Sequence, residues 1–446
     1  MSEESALRQA GLSPREAARK TAMFARAAAA HRALAGRAAP DVHRRFVPGR
    51  IEVLGKHTDY AGGRSLLCAV ERGFCLLASP RRDRRVVIAD AGHGLETEVA
   101  LDADLVPEPG SWAVYAAVVA RRLARNFPGP LLGADIAFVS DLPRASGLSS
   151  SSALVVSLFS ALAYVNRLDE RPEYRSSIES VEDLGGYLGC LENGLTFRDL
   201  PGDRGVGTFG GSEDHTAILC SRSGELAQYS FCPVRREGSF ALPAGFTFVV
   251  ASSGVAADKA GGARERYNRL SLATVAILDL WRREAGRADA TLFSAATSSA
   301  GAAAEIRRVL ARAADPLFSG EFLIGRFDQF LEESTEIIPA ASGALAQGDL
   351  AAIGPIVDRS QELAERFLGN QIPETVALAH EARSLGAVAA SAFGAGFGGS
   401  VWALVGESGA DAFRARWEEI YARKFPERAP RAEFFRTRPG PAVLRM

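Results

Sequence analysis

Three glycine-punctuated segments hold most of the residues able to do chemistry. The first, Pro48-Gly49-Arg50-Ile51-Glu52-Val53-Leu54-Gly55-Lys56-His57-Thr58-Asp59-Tyr60, crowds Arg50, Glu52, Lys56, His57 and Asp59 around two glycine turns. Aspartate and histidine set in glycine-rich backbone suit a site for sugar hydroxyls, which are directional and costly to leave unpaired. A solvated turn after a strand would use the same residues, but the position just past a strand and before Gly62-Gly63 keeps the site reading open. The second, Pro143-Arg144-Ala145-Ser146-Gly147-Leu148-Ser149-Ser150-Ser151-Ser152, lies between a strand-like and a helix-like apolar run. Gly147 ends the approach, Leu148 anchors inward, and the serines fall where a helix begins near Ser151 or Ser152. Free backbone N–H groups and the helix dipole would face a phosphate there, with serine hydroxyls as donors or a metal ligand. Four serines exceed what a plain N-cap needs.

The third segment, Gly394-Ala395-Gly396-Phe397-Gly398-Gly399-Ser400, has the glycine density of tight turns and close backbone approach. It contains a G-x-G-x-x-G look-alike, but the stretch before it, Thr375–Ala390, reads as mainly helical and a strand follows. The dinucleotide fingerprint needs the opposite order, so it is excluded. The pair Gly55-Lys56 is followed by His57 and lacks the upstream glycine of a Walker A loop. Between the second and third segments, Gly207–His215 follows Leu191-Glu192-Asn193 at a distance. One carboxylate there could orient or deprotonate an attacking hydroxyl and another could hold Mg²⁺, with Glu213 and His215 as competing candidates. No metal-protease, serine-hydrolase or zinc spacing is present.

Elements that position these segments can be read from pattern. Strand-like runs lie at 49–54, 66–69, 74–79, 85–88, 134–140, 246–253 and 401–405. Helical patterns occupy the Ala-rich opening to about Arg37, with Ser13 before Pro14 as N-cap, and 112–127, 153–166, 260–286, 299–314, 321–348 and 409–425. The opening helix is expected to lie on the surface ahead of the core.

At 446 residues and 47% hydrophobic content, the chain can bury a large core in two or more domains. A net charge of −1 gives no field that would draw it to nucleic acid or an anionic membrane. The five cysteines, Cys68, Cys75, Cys190, Cys220 and Cys232, are odd in number and form no C-x-x-C pair, so they read as reduced. With no apolar signal region and no membrane-length apolar run, the expected location is cytoplasmic.

Taken in order, the three segments resemble the signatures of the GHMP small-molecule kinases, and the first resembles that of galactokinases. The resemblance implies a two-lobed α+β fold: a mixed-sheet N-terminal domain (1–222), a helix-richer α+β C-terminal domain (223–446), and an active site between them. It also implies a sugar and ATP as small-molecule partners, with Mg²⁺, the sugar O1 attacking the γ-phosphate. By position, His57, Asp59, Gly211 and Tyr267 would bind sugar, and Arg50 and Asp214 would be catalytic. Gly147, Leu148, Ser149, Ser150, Ser151 and Gly396 would bind ATP, with Ser151 and Glu192 as metal ligands. Lys56 stands where the family carries a sugar-binding glutamate, which opens an anionic acceptor such as galacturonate beside neutral galactose. His215 replaces the family's glutamine, and the gap from Glu192 to Asp214 exceeds the family's. A silent galactokinase-like sensor and a homoserine- or mevalonate-type kinase are the remaining alternatives. Monomer and homodimer are equally open.

Overall fold

The computed structural model describes residues 2–36, 41–108, 111–257, 263–312 and 314–446. Early strands are β1 (His43–Leu54), β2 (Arg64–Pro80), β3 (Arg85–Asp90), β4 (Leu95–Ala100) and β5 (Ala134–Ser140). Then come β6 (Glu225–Ser230), β7 (Arg235–Ala241), β8 (Phe246–Ser252), β9 (Ala389–Phe393) and β10 (Ser400–Gly406). The last are β11 (Glu433–Thr437), β12 (Pro439–Gly440) and β13 (Leu444–Arg445). One sheet runs β13-β1-β2-β5-β3-β4, with β6 and β12 attached along β2 and β7 attached to β6. Its β3–β5 pairing is parallel, the rest antiparallel, so the expected mixed sheet is present. The second sheet, β11-β8-β10-β9, is antiparallel.

The stretch read as two strands at 66–69 and 74–79 is one strand, β2, and nearly all of it is buried. Both faces of the sheet are covered, so alternation with polar residues is lost. Leu76, Ala78 and Ile136 face the helices Ala113–Asn126 and Ser150–Val165 through Val119, Val155 and Phe159. Cys75, Leu77 and Val139 face the other way, against Met23, Phe24 and Ala27.

Those last three residues lie on the helix Pro14–Ala35, which corrects the expected surface helix. It covers the sheet, and its Lys20 is fully buried, donating to Glu16 (2.8 Å) and Asp141 (2.6 Å). Ser13 does not cap by its side chain; its N–H donates to Glu71 at 2.7 Å. The helix ends at Gly36, and Arg37 lies outside the described residues.

Two further expectations change. The helix expected over 375–390 is Pro373–Ser384, and β9 follows, so the third glycine segment is the tip of a β9–β10 hairpin rather than a helix-to-strand turn. The boundary expected at 222 falls inside the first sheet's territory, because β6 pairs with β2 and β7 with β6; the chain reaches the second sheet with β8. Residues 260–262 of the helix read over 260–286 lie outside the described residues; the observed helix is Arg264–Ala285. It packs with Ala302–Arg312 and Gly320–Glu332 through Ile277, Leu310 and Phe327. No helix among the described residues is long and apolar enough to cross a membrane.

Phe24 tests the sheet-covering role of the first long helix. Phe24→Ala should cost about 3–5 kcal/mol in urea unfolding, as large-to-small core changes do; a loss near zero would return that helix to the periphery.

Candidate active site

A bulge between Pro48 and Arg50 re-aims β1 just before its functional residues. Gly49 sits there because a Cβ would lie 2.8 Å from the Leu148 carbonyl. Past it, Arg50 and Glu52 share one face of the strand. The Arg50 guanidinium is nearly fully buried and makes three connections. Nη1 donates to the Gly147 carbonyl, while Nε (2.8 Å) and Nη2 (2.6 Å) reach Asp214 Oδ1. Burial opposes its charge, but Asp214 and Glu213 outweigh burial and raise its pKa. The backbone N–H of Arg50 also donates to the Leu148 carbonyl (3.3 Å).

Arg50 lines two cavities at once. The larger is lined by Gly147, Ser149, Ser150 and Ser151 on one side and by Phe74, Trp112, Tyr115 and Phe138 on another. The helix begins at Ser150, slightly before the expected start, and Ser149 at its cap has a left-handed backbone (φ 59°). Ser149 makes no cap hydrogen bond, and its buried Oγ has no partner among the described residues. First-turn N–H groups therefore face the cavity, an arrangement that suits an anion. The aromatic wall offers flat apolar surface of the kind a nucleobase stacks on. Trp112 and Tyr115, three apart on one helix, were the sequence signal that went unread.

The smaller cavity is lined by His57, Asp59, Glu192, Gly211, Glu213, Asp214, His215 and Tyr267, all candidates from the sequence, and by Glu52 and Ser152. Asp59 Oδ2 accepts from the Glu213 N–H (3.0 Å) at the start of the helix Glu213–Cys220. A Cβ on Gly211 would stand 2.2 Å from that oxygen, so only glycine allows this approach. His57 Nε2 bonds the Ala395 carbonyl (3.1 Å), which can only accept, so the ring proton is on Nε2 and Nδ1 accepts from Tyr60 Oη (3.0 Å). Arg326, wholly buried, holds the His57 carbonyl and Tyr60 Oη. Tyr267 packs on His57 at 5.2 Å, and burial holds its hydroxyl well above the usual pKa. Asn193 organises the glycine-rich loop beside it, accepting from Thr208 (3.0 Å) and the Gly210 N–H (2.8 Å) and donating to the Gly189 carbonyl (2.8 Å). The sequence reading quoted Asn193 without giving it a role.

Four assignments are corrected. Lys56 is buried and does not line the cavity; its Nζ donates to Ser360 (2.8 Å), which donates to Glu333 (2.9 Å). Glu333 also accepts from the Gly55 N–H (2.8 Å), so the turn sends Lys56 into the helical layer. The serine that meets Glu192 is Ser152, not Ser151 (Oγ to Oε2, 2.9 Å), and Ser152 also reaches Asp214 (3.3 Å). His215 Nε2 lies 2.9 Å from the same Glu192 oxygen, within ion-pair distance but not aligned as a hydrogen bond. Leu148 is core, offering only its carbonyl to Arg50. Gly396 packs on Asn370, where a Cβ would stand 2.5 Å from the side chain, and Ala395 is the hairpin residue that lines both cavities. The hairpin instead buttresses the serine-rich loop: Ser400 Oγ donates to the Ser146 carbonyl (2.6 Å).

The galactokinase galactose-binding signature matches residues 29–80, the GHMP kinase N-terminal domain 114–186 and the GHMP kinase C-terminal domain 341–423. A galactokinase of Roseiflexus is 28% identical over 390 residues, covering 84% of this chain and 86% of that protein. A galactokinase of Chloroflexus aurantiacus is 29% identical over 389 residues, covering 84% and 87%. The Lactococcus lactis galactokinase solved with galactose superposes with a TM-score of 0.73 at 22% identity, covering 91% of this chain and 96% of that one. The Methanococcus jannaschii mevalonate kinase does so at 0.54 and 12% identity, covering 89% and 98%. With all three signatures matched in order on a two-sheet frame of the same fold, the chain is a galactokinase-like member of the GHMP small-molecule kinases, a phosphotransferase with a sugar hydroxyl as acceptor.

Proposed function

We propose that the protein is an ATP-dependent sugar 1-kinase acting on the anomeric hydroxyl of galactose or a closely related monosaccharide. The observation that carries this is Arg50, which touches the phosphate loop through Gly147 and the acceptor cavity through Asp214. A donor phosphate over the first turn of the serine helix and a hydroxyl beside Asp214 would meet at this guanidinium. Asp214 orients that hydroxyl and accepts its proton, and Arg50 stabilises the negative charge on the transferring group. His57, Asp59 and Tyr267 wall the sugar. Positioning and electrostatics suffice, because phosphoryl transfer asks little covalent chemistry of the protein.

The oxygen donors of Glu192 and the neighbouring serines fit Mg²⁺, which takes one or two carboxylates plus substrate phosphates. Bound there, Mg²⁺ would neutralise phosphate charge. Glu192 and Ser152, with Ser151 on the phosphate side, are the residues that would hold it.

The burial of Lys56 against Ser360 disfavours the anionic-sugar reading, since no ammonium faces the cavity there. The presence of Arg50 and Asp214 in mutual contact disfavours the silent sensor.

In a coupled ADP-release assay with Mg-ATP and galactose, Asp214→Asn should lower kcat by about 10²–10⁴-fold, the range for a proton-handling group. Retention of turnover within a few-fold would remove Asp214 from the reaction. Lys56→Glu should leave the preference between galactose and galacturonate unchanged while destabilising the fold by about 3 kcal/mol or more, since it places an unpaired charge in a buried site. A switched preference without loss of stability would put residue 56 against the sugar.

A further inference from the structure

Two buried carboxyls face each other in the acceptor cavity, and among the described residues no cation hydrogen-bonds to either. Glu52 projects from β1 and Glu213 opens the helix Glu213–Cys220; both line the cavity, 4% and 6% exposed. Their donors are few. The Gly394 N–H reaches Glu52 Oε2 (3.2 Å), and Ser65 Oγ reaches Glu213 Oε2 (2.6 Å). Arg50 Nε stands 4.0 Å from Glu213 Oε1, with its hydrogen bonds already given to Asp214 and Gly147. Among the described residues, Glu52 Oε1 receives no hydrogen bond. Its carboxyl faces that of Glu213 in the same cavity, and each acts on the other's charge. Two carboxylates can only accept, so this contact holds a proton unless a cation replaces it. Burial accordingly lifts Glu52 to about 7, and burial together with Glu52 and Asp59 lifts Glu213 well above the usual carboxylate range. Arg50 and then Lys56 favour the charged form of Glu52 against Glu333, but Arg50 is also paired with Asp214, and Asp59 and Asp214 stand by Glu213 against it, so the cavity holds more carboxyls than cations.

We propose that the Glu52–Glu213 pair selects the acceptor, and that the sugar it selects carries a protonated amine, a hexosamine in place of a neutral hexose or a hexuronate. The proposal rests on the sugar-kinase reading of the same cavity. An ammonium has three donors and no acceptor, so it can bond both carboxylates and supply the positive charge the pair lacks. A hydroxyl can bond to the pair but leaves it with its single proton. A hexuronate would bring a third carboxylate beside Glu52, Glu213, Asp59 and Asp214. The reaction is unchanged: the anomeric oxygen takes the γ-phosphoryl group, its proton goes to Asp214, and ADP leaves.

The test uses the full chain with Mg-ATP at about pH 7, where a sugar ammonium is still largely protonated, and compares galactosamine, glucosamine, galactose and galacturonate by ADP release. One of the two hexosamines should exceed galactose in kcat/KM by about tenfold or more, the scale of one charge-assisted hydrogen bond, with galacturonate lowest. Glu52→Gln should shrink that ratio by a similar factor. Should this variant fail to fold, calorimetry on the unaltered protein decides: hexosamine binding should release a proton from the pair, seen as a buffer-dependent heat that galactose binding lacks. Turnover of galactose with no hexosamine preference and no proton release would overturn the proposal and leave the kinase reading intact. Absence of turnover and binding for every sugar would overturn both.

Discussion

One buried guanidinium sets the terms for the rest of the site. Arg50 sits inside a sheet covered on both faces, where an uncompensated charge would be costly. Its compensation comes from two distant parts of the chain, Gly147 on the phosphate loop and Asp214 at a helix start. The bulge at Gly49 immediately precedes Arg50, and left-handed backbone at Gly147 and Ser149 shapes the loop that offers its carbonyl. A structural requirement, pairing a buried charge, thus brings the two cavities into contact at one group.

Around that group the C-terminal half acts as a brace. The β9–β10 hairpin holds the phosphate loop through Ser400 and meets His57 through the Ala395 carbonyl. From the helical layer, Arg326 fixes the His57 carbonyl, and Glu333 fixes the Gly55 N–H. The first glycine segment is therefore held from both sides, which keeps His57 in a left-handed backbone that a free loop would abandon. The acceptor cavity inherits its rigidity from these contacts.

The three segments and the helix after the serine run were legible because glycine spacing and a long apolar run are local signals. What failed was facing. Ser151 and Ser152 differ by one residue, but about 100° of helix rotation sends one to the phosphate side and the other to Glu192. Lys56 looked like a sugar contact, yet its partners Ser360 and Glu333 lie hundreds of residues away, and no local pattern announces them. The helix Pro14–Ala35 looked peripheral since its sequence is rich in alanine and arginine and its buried face includes Glu16, Lys20 and His31, and the strand β7 was missed since its alternating exposed residues include Arg235 and Glu237. The Glu52–Glu213 contact joins a strand to a helix start across 160 residues of sequence, which only the folded sheet reveals.

The most direct test of the account is a crystal structure with a non-hydrolysable ATP analogue and an acceptor sugar bound together. The account predicts the triphosphate over the first turn of the helix Ser150–Val165 and the anomeric hydroxyl beside Asp214, with the Arg50 guanidinium in contact with both reacting groups. A sugar bound away from Asp214, or a triphosphate that leaves Arg50 joined to Asp214 alone, would contradict it.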